Sequence, residues 1–465
     1  MTARLQKKLI FIVALSFGLG VISATAKSAT IAIIDSGTDM KHREIAPQAW
    51  ININEIPGNN RDDDRNGYQD DVHGWNFAEG NNQVIDYKYL GIFNDDIDRF
   101  FEIQTKAMMG TMTPEEREWI IAKIEDQEFI KQITIFGNFM HGTHVGHIGI
   151  RGAPEAELMA VKLIPTEVNL PFFYNPGVSK ENQVGSEEDK SLRMRLLKKG
   201  LEFLANQQME MMDEIAAYVA SHKADIANGS FGTGYPQASM IVEVLFKNVL
   251  RKDPTEAELH EATTHFLNAL VSRGQQMVAL APETLFVFAS GNDGLDNDVF
   301  PTSPTNIEAN NVISVGATIG YGDLAVFSNF GKKTVDVLAP GVGVRAAIPG
   351  DEYIRVSGTS QAAPYVASVA AHLKSLNPNL TPAQIKQILM GTVDVRPELA
   401  EKVRTSGLVN RSRATRAAEL STSVAISDAI SESRLTVADL PIEKSYSQPS
   451  AGAKNLVLPL PSVFR

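Results

Sequence analysis

The chain has 465 residues, 43% hydrophobic and 21% charged, with a formal net charge of −12. That composition supplies a large core and excludes a fibrous or disordered chain, and an acidic balance without a basic stripe excludes nucleic acid as a partner. There is no cysteine, so neither a disulfide nor a cysteine-linked lipid can contribute.

In chain order, Arg4, Lys7 and Lys8 precede the apolar run Leu9 to Ile22, and Ala24-Thr25-Ala26 follows as a small-residue cleavage site. A positive start, a run shorter than the roughly 20 residues of a membrane span, and small residues after it predict a cleavable signal peptide over 1–26. The mature chain is then secreted or periplasmic, with no later transmembrane segment. Thr30 to Ile34 reads as a short buried strand that ends at Asp35. Asn52 to Asp71 is acidic and turn-rich. A charged insertion near 86–137 holds a helix start, with Thr113 as N-cap, Pro114 in the first turn and Glu116 closing a capping box.

Leu158 to Ile164 is a second apolar strand. A further insertion near 165–223 has helical spacing from Ser186, interrupted near Gly200. Asp225 to Ala227 is a strand leading to Asn228-Gly229-Ser230. Thr255 to Arg273 is a helix with Gly274 as its C-terminal stop. Leu285 to Ala289 and Val312 to Val315 are strands. Ser360 to Leu376 is an alanine-rich helix, and Thr381 to Gln384 opens another with a capping box. From residue 421 to 465 the chain turns Ser-, Ala- and Pro-rich; this tail reads as mostly extended or disordered, the alternatives being that it docks along the body or is removed. Short buried strands alternating with helices predict an α/β, three-layer sandwich with a mainly parallel central sheet and helical insertions, over 27–420.

Three short strings carry chemistry. Asp35-Ser36-Gly37 ends the first strand, His141-Gly142-Thr143-His144 follows the first insertion, and Gly358-Thr359-Ser360 opens the alanine-rich helix. A serine hydroxyl needs a base in reach, and that base needs an acid to fix its tautomer. Ser360 is the candidate nucleophile, His141 the base and Asp35 the orienting acid. Small residues after Ser360 let the helix sit deep, with its positive end towards the site. His141, His144 and His147 are three residues apart, but no carboxylate stands between them in the manner of a zinc peptidase helix.

The order Asp, His, Ser and the flanking strings resemble the subtilisin-like serine peptidases. The resemblance rests on Ile31 to Thr38, on His141 to Gly146 with Gly149 to Lys162 after it, on Phe286 to Gly294 and on Gly358 to Pro364. It implies a subtilisin-like fold and an acyl-enzyme mechanism. It implies that Asn292 is the oxyanion donor, with the Ser360 backbone N–H as its partner. Ser230-Phe231-Gly232 would be an edge where extended substrate pairs, and Ala289-Ser290-Gly291 one wall of the primary pocket. The chain departs from the family pattern at Gln361, where methionine is usual, and at Gly146-His147. Only eight residues, Lys27 to Ile34, separate the expected cleavage site from Asp35, which leaves no room for a pro-domain there.

Asp62, Asp64, Asn66 and Gly67 match positions of an EF-hand-like loop, and Asp70 follows at its ninth position. The twelfth is His73 rather than a glutamate, so the loop is no EF-hand. It fits either a structural Ca2+ site on Asp62, Asp64, Asn66 and Asp70 or a solvated acidic turn. The expected function is an exported serine endopeptidase acting on protein or peptide substrates and needing no cofactor for its chemistry. The alternative is a catalytically silent peptide-binding protein on the same scaffold. No feature of the sequence speaks to oligomeric state.

Overall fold

In the computed structural model, which describes residues 28–167, 187–250, 252–443 and 448–462, the run Thr30–Asp35 forms a fully buried strand, β1. The predicted signal peptide and the first part of the second insertion lie outside the described residues. Strands β2 (Gly74–Asn76), β3 (Glu157–Lys162), β4 (Ile226–Gly229), β5 (Leu285–Ala289), β6 (Val312–Thr318) and β7 (Val337–Pro340) join β1 in one parallel sheet. Strands β8 (Val344–Ile348) and β9 (Glu352–Val356) form a separate antiparallel hairpin. Two-residue strands β10 (Asp394–Val395) and β11 (Gly407–Leu408) close the far edge, where the one antiparallel pair of the main sheet lies. The order across the sheet is β10-β11-β7-β6-β5-β4-β1-β3-β2.

The period of two along each strand divides the core into two layers. Ile31 and Ile33 of β1 and Val287 of β5 join one cluster, whereas Ala32, Ile34, Phe286 and Phe288 join the other. The first cluster is covered by α1 (Asp95–Met108), α2 (Pro114–Glu125), α3 (Gln127–Arg151) and, later in the chain, α7 (Thr359–Leu376). The second is covered by α4 (Glu187–Ser221), α5 (Tyr235–Leu245) and α6 (Glu256–Ala279). Helices on both faces of a buried parallel sheet make the expected three-layer α/β fold. Among the described residues no helix is long and apolar enough to cross a membrane.

The capping boxes at Thr113 and Thr381 form as expected, the second opening α8 (Pro382–Gly391). Three expectations are corrected. Helix α4 runs through Gly200 without a break, because nothing within 4 Å of that position demands one. Gly274 does not stop α6; it lies inside the helix, and a Cβ there would come within 2.3 Å of Ile307 Cδ1. The segment after 421 is not an extended tail: α10 (Ile426–Thr436) packs on α8 and on α9 (Arg411–Leu420), and residues 448–462 dock on the body. The boundary expected near 137 falls inside α3, because the last eleven residues of the first insertion, 127–137, are the opening turns of the helix that carries His141.

Candidate active site

The strand order reverses around β1, and in open parallel sheets a crevice forms at such a point beyond the carboxyl ends of the strands. β1 ends there with Asp35, and the segments after β4 and β5 supply Ser230 and Asn292. Helix α3 is pressed onto the loop after β1, because Gly142 has no side chain: a Cβ would stand 2.2 Å from Gly37 O. Gly37 itself has φ of 112°, a conformation reserved for glycine. Thr38 Oγ1 donates to Gly142 O at 3.3 Å, and the Asp39 amide donates to Thr143 Oγ1 at 2.9 Å.

This contact brings His141 against Asp35. Asp35 is fully buried, and its Oδ1 accepts from the Ser36 amide and from His141 Nδ1, both at 2.7 Å. An ionised carboxylate only accepts, so Nδ1 carries the proton and Nε2 is left as the basic nitrogen. The second oxygen of Asp35 is buried with no partner among the described residues. An imidazolium at 141 is the charge that would stabilise it. Next along α3, burial pushes the His144 imidazole down to about 3, with the charge of His141 the next cause. His144 therefore stays neutral beside the candidate base.

Ser360 is the second residue of α7, after Gly358 at the N-cap. His141, Ser360 and Asn292 line one cavity of about 290 Å3. In this conformation the Ser360 hydroxyl donates to Ser230 O at 3.2 Å rather than to His141. Candidate catalytic hydrogen bonds commonly tighten only when a substrate is in place. Asn292 is oriented before any substrate arrives. Its Oδ1 accepts from the Thr359 amide at 2.9 Å and from Thr359 Oγ1 at 2.8 Å, which turns Nδ2 into the cleft. Thr359 sits inside the serine string, but nothing in the sequence marks it as the residue that aims Asn292.

The expected cleft strings divide. The Gly232 amide donates to Pro461 O at 2.9 Å, and Gly232 itself is not among the residues that line the cavity with His141 and Ser360. Phe231 is buried in the second core layer. Ala289, Ser290 and Gly291 do not line the cavity. Thr305 Oγ1 donates to Ala289 O, Ser290 Oγ donates to Asn329 O, and Asn329 stands where a Cβ on Gly291 would go. They form a support behind Asn292. The first insertion supplies the opposite wall, through Phe101 and Gln104 of α1 and Ile130 and Thr134 of α3. The C-terminal segment supplies Leu458, Pro459 and Pro461.

The acidic loop is only partly as expected. Asp62 and Asp64 lie with Glu55, which the sequence reading missed, so that one oxygen of each falls within 4.8 Å of the others. Asp70 is not one of that group; its carboxylate accepts from the amides of Gly58, Asn59 and Asn60. The Asn66 side chain donates to Asp64 and Asp71, and its oxygen accepts from the Tyr68 amide. Three clustered carboxylates suit a hard cation.

Residues 26–413 match the profile of the subtilase family. The chain is 41% identical over 139 residues to alkaline elastase YaB of Bacillus sp. (strain YaB), covering 30% of this chain and 34% of that protein. It is 30% identical over 285 residues to M-protease of Shouchella clausii (strain KSM-K16), covering 59% of this chain and 55% of that one. The alignments therefore span from a third to about half of these curated relatives. A solved structure of a cold adapted subtilisin-like serine proteinase aligns at 18% identity and a TM-score of 0.42, covering 83% of this chain and 91% of that one.

Proposed function

The chain belongs to the subtilase family, and we propose that it is an exported serine endopeptidase hydrolysing peptide bonds through Asp35, His141 and Ser360. The observation that carries this reading is the 2.7 Å bond between Asp35 Oδ1 and His141 Nδ1, with Ser360 and Asn292 on the walls of the same cavity. When a substrate carbonyl enters, the Ser360 hydroxyl turns from Ser230 O towards His141 Nε2 and gives up its proton as Oγ bonds to the carbonyl carbon. Asn292 Nδ2 and the Ser360 backbone N–H hold the oxyanion, and Asp35 stabilises the imidazolium. His141 then protonates the departing amine, the C–N bond breaks, and an acyl-enzyme remains. Water, deprotonated by His141, releases the acid and restores the hydroxyl.

Protein or peptide chains in extended form are the substrates, because the cleft has apolar walls at Phe101 and Ile130 and the Gly232 amide already pairs with a backbone carbonyl, Pro461 O, that lines it. Glu55, Asp62 and Asp64 would hold a structural Ca2+ that takes no part in the chemistry. A fluorophosphonate probe tests the reading directly. The expected result is one covalent adduct on the folded chain, absent from Ser360→Ala. An adduct that survives that substitution, or no adduct on a chain whose cleft is open, would remove the assignment.

A further inference from the structure

The strongest unexplained contact in the molecule is between its C-terminal segment and the cleft. Alternate carbonyls of this segment are each taken by a side-chain amide: Leu456 O by Gln104 Nε2 at 2.8 Å, Leu458 O by Asn292 Nδ2 at 3.0 Å, and Leu460 O by Gln237 Nε2 at 3.3 Å. The three amides come from α1, the loop after β5 and α5. Pro461 O accepts from the Gly232 amide at 2.9 Å, and Ser462 Oγ meets Thr233 Oγ1 at 3.1 Å. Leu456 ends a short 3-10 turn over Ala453–Leu456, and from Val457 to Ser462 the chain is laid along the groove without helix or strand, with Leu458 O and Leu460 O captured at the period of two of an extended backbone.

Packing supports the same placement. Leu456, Val457 and Leu460 are buried. Leu458 Cδ1 lies 3.3 Å from where a Cβ on Gly137 would stand, and Leu460 Cδ1 the same distance from one on Gly232. The two missing side chains leave the space that the leucines fill. Burial of apolar side chains favours this placement, so the contact is not a surface accident.

We propose that residues 457–462, anchored by the turn at 453–456, are an intramolecular inhibitor of the cleft, which binds apolar, proline-containing peptide in extended form. The proposal rests on the reading of Asn292 as oxyanion donor. The Leu458 carbonyl takes the amide that a reacting carbonyl needs, while the Ser360 hydroxyl is parked on Ser230 O. Proline at 459 and 461 makes the segment a poor substrate. Neither residue has an N–H, so at both positions the segment can accept from the groove but cannot donate to it. At the Leu458–Pro459 bond the ring Cδ occupies the place of the ordinary amide hydrogen. Substrate enters when the segment leaves, and the apparent affinity for substrate is lowered by the fraction of time the cleft is open.

The test uses the full chain. Leu458→Asp with Leu460→Asp would put two carboxylates into apolar sites and displace the segment. Gln237→Ala, on the half-buried face of α5, loosens the same contact without entering the core. Two readouts are compared with the parent: the rate of fluorophosphonate labelling, and binding of a fluorescent peptide of residues 450–465 to each chain in a Ser360→Ala background. The expected result is labelling at least about tenfold faster in the double variant, severalfold faster in Gln237→Ala, and peptide bound by the displaced chain but not by the parent. Equal labelling rates in all three chains, or no peptide bound by a folded displaced chain, would overturn the proposal. If no chain labels at all, the assignment of Ser360 fails, and peptide binding still decides whether the segment owns the cleft.

Discussion

Asn292 shows how much of the candidate site depends on a neighbour. Its amide nitrogen is useful only because Thr359 holds the amide oxygen with two hydrogen bonds. Removing one such donor in a subtilisin costs about 10²–10³ in turnover, and Asn292→Ala is expected to lose kcat on that scale with KM nearly unchanged. Thr359→Val keeps the shape and the backbone bond but removes the hydroxyl, which also accepts from the Gly291 amide at 3.2 Å. Losing one net hydrogen bond of about 1 kcal/mol lowers kcat about fivefold; steady-state kinetics that left kcat unchanged would refute this role. The sequence named Asn292, because its string is local and specific. It did not name Thr359, because the contact spans 67 positions and a threonine beside a serine carries no signal of its own. His144 gives the pH dependence at this scale. Its folded value is pushed down to about 3 by burial, against an ordinary histidine in the unfolded chain. The folded state therefore binds fewer protons below the ordinary range, and stability is full above that range and falls as pH drops towards about 3. Denaturant midpoints measured from pH 7 to pH 4 are expected to fall less in His144→Gln than in the parent.

Helix α3 carries the same logic to the level of an element. It runs from the first insertion through His141 to Arg151 without a break, so the wall at Ile130 and the base at His141 belong to one rigid rod. The rod is positioned by Gly142 lying against Gly37, where a Cβ would stand 2.2 Å from a backbone oxygen. Gly142→Ala must therefore push α3 away from the loop after β1 and stretch the bond between His141 and Asp35. The expected cost is about 1–3 kcal/mol of stability, and about 10²-fold in activity from a displacement near 1 Å. Gly200→Ala is the matched control. Gly200 is exposed in the middle of α4 with nothing within 4 Å, so the same change is expected to stabilise by about 0.5–1 kcal/mol. Thermal melts of the two variants should shift in opposite directions; a shared sign would sink the argument. Capping boxes at Thr113 and Thr381 were legible because both partners lie three residues apart. Gly274 was misread as a stop because a glycine that admits Ile307 looks, in sequence, like one that ends a helix. Helix α10 was missed because its window is short of apolar residues and its support comes from α8 and α9.

Across the whole molecule, short apolar strands alternating with helices were enough to foresee a buried parallel sheet, and each of β1, β3 and β5 feeds both core layers. What the pattern could not show was how the edges are secured in a chain with no cysteine. At one edge, β2 follows the acidic loop, and that loop is tied to α4 by Tyr218 Oη donating to Asp71 Oδ2 at 2.8 Å and by His222 at 3.3 Å from the same oxygen. Glu55, Asp62 and Asp64 sit in the same loop, where backbone amides offset part of the repulsion between their like charges and a cation would offset more. A cation bound there would hold the loop, the β2 edge and α4 together as one unit. For a single site filled at a hundredfold excess over its dissociation constant, linkage stabilises the folded state by about 2.7 kcal/mol. Calcium is therefore expected to raise Tm by several degrees and a chelator to reverse it. Asp62→Ala with Asp64→Ala should melt at one temperature with or without the ion. Magnesium should do less, because it demands a tighter octahedral shell than a loop of this kind supplies. A parent chain whose melting temperature ignores calcium would leave the acidic loop as a solvated turn and place the burden of edge stability on the Asp71 contacts alone.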